Sequence, residues 1–216
     1  MRSIVRSTLS AAMLGAAALA AGCATTPETK VEVTWVSPQL SQTPLKKLLI
    51  ITVANSEFVQ AAFQDQMAAQ LKARGINAVA SHRYFSRYTD AEKARFMRSI
   101  DESDADSVML ARVTNTAEAS SQDRGTIIGP AGVPFAGATG IQGAFGLYVY
   151  PASYGGRPDG SMRTVTAETS IFALKGEKLV WSARTRSTNV NATTGEHFAP
   201  QYIEVILDAM KKDKVL

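Results

Sequence analysis

Three features of this 216-residue chain point to an α/β domain with α+β character, built on a single mixed sheet. The run "KKLLIITVA" is continuously apolar, the pattern of a strand covered on both faces. Helical periodicity follows it, and strand and helix patterns then alternate as β-α-β-α-β. Late in the chain, two cleanly alternating stretches flank Lys175-Gly176, which reads as an antiparallel hairpin. Parallel crossovers and a hairpin around one core call for a mixed sheet, with helices packed against it.

Each element has its own signal. In "VEVTWVSP", Val31, Val33 and Trp35 alternate with polar neighbours, so 31–36 is expected to dock as an edge strand that Pro38 ends. After the apolar strand, Val59, Phe63, Met67 and Leu71 recur every four residues and predict one buried helical face. Asn55 or Ser56 can cap this helix, and Gly75 stands where a left-handed stop is needed. "INAVASHRYF" predicts a second strand. "TDAEKARFMRSI" opens with a capping box, Thr89 and Glu92, and turns Phe96, Met97 and Ile100 inward. "DSVMLARVT" predicts a third strand, and right-handed parallel crossovers are the expected geometry. In the hairpin, Leu179 and Trp181 should pack with Ile171 and its same-face neighbours. A last helix is expected from near Pro200, with Ile203, Ile206, Leu207 and Met210 as its stripe and Lys211 and Lys212 at its negative end.

The amino terminus carries a different kind of information. Arg2 and Arg6 precede a 13-residue run of apolar and small residues, "LSAAMLGAAALAA", and no acid occurs before Glu28. This is the make-up of a secretory signal over 1–22, and the run is short of the roughly 20 residues a spanning helix needs. It ends at Ala20-Ala21-Gly22-Cys23, and Cys23 is the single cysteine. An unpaired thiol is a liability in an oxidising compartment, which argues for a use. The segment resembles the bacterial lipobox. The resemblance implies cleavage between Gly22 and Cys23, a diacylglycerol on the thiol and an acylated new amino terminus. Ala20 stands where leucine is usual. Several acyl chains on one residue make membrane attachment effectively permanent. Ala24, not Asp, follows Cys23, which by resemblance to Gram-negative lipoproteins implies transfer to the outer membrane, facing the periplasm. Residues 23–44 then form a lipidated start and tether, which as a flexible chain would reach about 25 Å. Residues 45–216 form one domain.

Composition narrows the function. The chain has 23 basic and 19 acidic side chains; without Arg2 and Arg6 the balance is 21 against 19, too small to argue for nucleic-acid binding. His82 and His197 are far apart and lack metal-ligand spacing, so no metal site is expected, and no cofactor beyond the covalent lipid. "DESDAD", 101–106, lacks the glycine and distal Glu of a calcium loop, with Asp106 and Arg112 in their places, and reads as a solvated turn. There is no GxSxG elbow and no GK[ST] after the glycines. No catalytic constellation is expected, and a cell-wall enzyme or ligand binder is a minor alternative. The segment 125–160 holds 10 of the 15 glycines. It reads as a surface insertion, as a binding or self-association loop using Phe135, Phe145, Tyr148, Tyr150 and Tyr154, or as a membrane-inserting hairpin, which its prolines and glycines disfavour.

Several stretches together carry a resemblance: "TWVSP", "PLKKLLIITVA", "FQDQMAAQLKARGINAVAS", "DADSVMLARV", "VTAETSIFALKGEKLVWSARTRS" and the closing "KKDKVL". They are similar to a family of uncharacterised proteobacterial outer-membrane lipoproteins. The layout also resembles the curli-export lipoprotein, the lipoprotein activators of penicillin-binding proteins and the amino-terminal domain of the Tol-Pal translocation protein. The Cys23 anchor, the lack of a catalytic constellation in the sequence and the aromatic, glycine-rich segment together lead to the expectation of a non-enzymatic envelope adaptor whose partners are the membrane, through its anchor, and an envelope protein. An oligomeric subunit of an export or pore apparatus is the alternative.

Overall fold

The computed structural model describes residues 27–42, 45–53, 57–84, 98, 100–118, 163–190 and 195–216. They form one six-stranded mixed sheet with helices packed on it. The strands are β1 (Glu28–Val36), β2 (Lys47–Val53), β3 (Asn77–Ala80), β4 (Ser107–Glu118), β5 (Arg163–Ala173) and β6 (Lys178–Val190). The helices are α1 (Glu57–Ala73) and α2 (Gly195–Lys212). Sheet order is β1-β6-β5-β4-β2-β3, with β2 parallel to β3 and β4 and the other pairs antiparallel. The α/β expectation, with its hairpin and closing helix, holds.

Residues 48–51 of β2 are at most 1% exposed, so both faces are covered, as a continuous apolar strand requires. On one face, Leu48, Ile50, Met109, Ile171 and Trp181 meet Phe63, Met67 and Leu71 of α1 and Ile203, Ile206 and Met210 of α2. Leu49, Val108, Leu110 and Phe172 are buried on the other face. Only the end of the helix expected over 89–100 falls among the described residues. Residues 98 and 100–103 are helical, and Ile100 and Ser103 are buried. The expected caps Asn55, Ser56, Thr89 and Glu92, and Phe96 and Met97 with them, lie outside the described residues.

Gly75 is the expected left-handed stop, at φ 85. Its N–H donates to the Lys72 carbonyl and the Ile76 N–H to the Leu71 carbonyl, each at 3.0 Å, which satisfies the last turn of α1. Gly176, at φ 82, serves the hairpin turn between β5 and β6.

The structure corrects the sequence reading in several places. The edge strand expected over 31–36 is present and starts earlier, at Glu28, because β6 offers an edge on which β1 pairs from Glu28 to Val36. A bulge between Val31 and Val33 also splits the expected apolar row of β1. Val31 lies opposite Thr185, whereas Val33 and Trp35 lie opposite Arg184 and Ser182, on the other face. Val59 is 44% exposed, not part of the buried face of α1. Each four-residue step overshoots a helical turn by about 40°, so a row from 59 to 71 cannot stay on one side. Gln60 and Gln64 are buried in its stead. β3 stops at Ala80, since the Gln64 side-chain carbonyl accepts from Ser81 Oγ at 3.1 Å and from the His82 N–H at 2.9 Å and draws the chain into a 3-10 turn. A second bulge pairs Ile171 with Trp181 and Phe172 with Leu179. Leu179 therefore leaves the expected cluster and Val180 is buried in it. α2 begins at Gly195 and carries Pro200 within it. Phe198 stacks on Tyr202 at 5.7 Å, one turn on, and this packing accounts for the helix running through the lost proline N–H.

Candidate functional site

The strand directions gather several features at one end of the sheet. β1 starts there at Glu28, which pairs with Thr188, and β4 ends there with Glu118 opposite Arg163. β2 and β3 run parallel to β4 but stop short of that end: the register carries Val53 through Arg112, Glu168 and Arg184 to Val33, and Ala80 through Ile50, Met109, Ile171 and Trp181 to Val36. The insertion containing 125–160 leaves and rejoins the sheet at the Glu118–Arg163 pair. Phe58, 82% exposed, and Val59, 44% exposed, sit in the first turn of α1. The distance from Cys23 is short: β1 begins five residues later. Even fully extended, five residues reach at most about 18 Å.

Asp65 of α1 faces the turn after β3. His82 Nε2 is 3.0 Å and Arg83 Nη2 3.5 Å from its Oδ1. The His82 imidazole, aided by Arg83, holds the Asp65 carboxyl below the usual carboxylate range, against a partial burial that pushes the other way. All three groups are partly exposed, so the cluster is a surface ion pair that fixes the turn and contributes little stability.

A charged ladder crosses three strands on the face opposite α1 and α2. Arg112, Glu168 and Arg184 stand side by side on β4, β5 and β6. Arg112 Nη2 donates to Glu168 Oε2 at 3.2 Å. Arg184 donates to Oε1 through Nη2 at 2.7 Å and Nε at 3.2 Å. Side-chain exposures of 19%, 4% and 7% place the ladder inside the protein. Both oxygens of the carboxylate accept from guanidinium groups, one of them twice. Its work is to join strands. Glu32 of β1 extends the row by accepting from Arg186. The sequence holds a signal for this ladder: Ala-Arg at 111–112, Ala-Glu at 167–168 and Ala-Arg at 183–184. Each pair puts a small residue on the helix-covered face and a charge on the other. Without the strand register, nothing shows that the three charges meet.

At the far end of the sheet lies an open cavity of about 490 Å³, lined by Leu40, Leu45, Ile76, Val215, Asp213 and Lys214. Its carboxylate is engaged, since Asp213 Oδ2 accepts from Trp181 Nε1 at 2.9 Å. Asp106, in the acidic turn, accepts from the Lys46 N–H at 2.8 Å and from Ser107 Oγ at 2.9 Å, and so clamps the starts of β2 and β4. That use is structural.

Gly22, Cys23, Phe135, Phe145, Tyr148, Tyr150 and Tyr154 lie outside the described residues, and so does the side chain of His197. Among the described residues no three or more His, Cys, Asp or Glu are grouped to hold a metal, and no helix is long and apolar enough to cross a membrane.

No protein-family model and no curated protein matches the chain. Among solved structures, it is similar to the PelC dodecamer from Paraburkholderia phytofirmans, with a TM-score of 0.42 and 11% identity over 84% of this chain and 95% of that one. A single-substitution variant of that dodecamer gives a TM-score of 0.38 at 14% identity, over 84% and 96%. Lipoprotein GNA1162 from Neisseria meningitidis gives a TM-score of 0.38 at 13% identity, over 77% and 98%. Scores and identities this low transfer no role.

Proposed function

We propose that this chain is a non-enzymatic envelope adaptor, anchored by lipid on Cys23 to the outer membrane and facing the periplasm. The observation that carries the reading is the five-residue interval between Cys23 and the start of β1. A cysteine at the end of a secretory signal, this close to a folded edge strand, suits an anchor that holds the domain against the bilayer, within about 18 Å. A protein that must reach a distant partner would need a longer lead. The engaged state of Glu168, Asp106 and Asp213 supports the non-enzymatic part of the reading, since each carboxylate is used to hold strands or a helix end. The partner-binding role falls to the insertion, with Phe135, Phe145, Tyr148, Tyr150 and Tyr154 as its candidate contacts.

Mass spectrometry of the processed protein and of Cys23→Ser tests the anchor. The expected result is a native amino-terminal peptide starting at Cys23 with diacylglycerol and acyl mass, and a variant that keeps its signal or leaves the membrane fraction. An unmodified thiol in the native protein would refute the reading.

A further inference from the structure

We draw no further inference here: the strongest candidate, the open cavity beside the carboxyl terminus lined by Leu40, Leu45, Ile76, Val215 and Lys214, carries none, because its Asp213 carboxylate already holds Trp181 and nothing in the structure shows what covers its apolar wall.

Discussion

Two arginines close on the Glu168 carboxylate from neighbouring strands, and the cost of removing that one residue follows from burial. Glu168→Ala takes from Arg112 and Arg184 the buried carboxylate to which both donate, and should destabilise the fold by about 3–5 kcal/mol in urea unfolding. Replacing all three by apolar residues of similar size should cost far less, because the desolvation penalty goes with the charges. Tyr202 is the other buried polar anchor. Its hydroxyl is 2.6 Å from Thr169 Oγ1, and its ring lies 5.8 Å from Phe63. Burial pushes the phenol up to about 12, with the Glu168 charge adding to this and the Thr169 and Thr185 hydrogen bonds opposing it. The fold therefore favours the neutral phenol. Its contribution is complete below the ordinary value near 10 and is lost as pH rises from about 10 to 12, a loss of about 2–3 kcal/mol. Urea unfolding between pH 9 and 12 should show this decline, and Tyr202→Phe should flatten the part of it due to this group.

At the scale of elements, α1 shows how periodicity informs and where it misleads. Phe63, Met67 and Leu71 were legible as a buried row, since their spacing matches a helical face. Val59 was not, because a strict four-residue row drifts around the helix. Phe63→Ala should cost about 3–5 kcal/mol by leaving a cavity beside Tyr202. Val59→Ser should stay within about 0.5 kcal/mol of the native protein in the same measurement. The strands behave alike. Alternation announced β1 and the hairpin, but the bulges at Val31/Val33 and Ile171/Phe172 are set by cross-strand fit. They move Val33, Trp35 and Leu179 to the face their sequence spacing denied them.

At the scale of the whole molecule, the two ends of the sheet differ in character. One end joins the short lead from Cys23 and the insertion; the other joins the hairpin turn, the cavity and the carboxyl terminus. Glu118 and Arg163, which bracket the insertion, are already paired across β4 and β5. Deleting 125–160 therefore shortens a connection between neighbouring antiparallel strands and removes none of the six described strands. The expected outcome is an unchanged urea midpoint, together with loss of cross-linked envelope partners in pull-downs from intact cells. Undiminished partner recovery would take the adaptor role away from the insertion.

The order and type of the elements, the covered strand β2, the stop at Gly75 and the buried stripe of α2 were determined by sequence alone, because each rests on local periodicity or on one residue's backbone freedom. The expectation of a secretory signal with a lipobox-like ending at Cys23 likewise comes from sequence, without any fold. Tertiary structure alone decided the strand order, the bulges and the Arg112–Glu168–Arg184 ladder. These depend on pairing between residues far apart in the chain, and a local pattern carries no information about which distant strand will supply the partner.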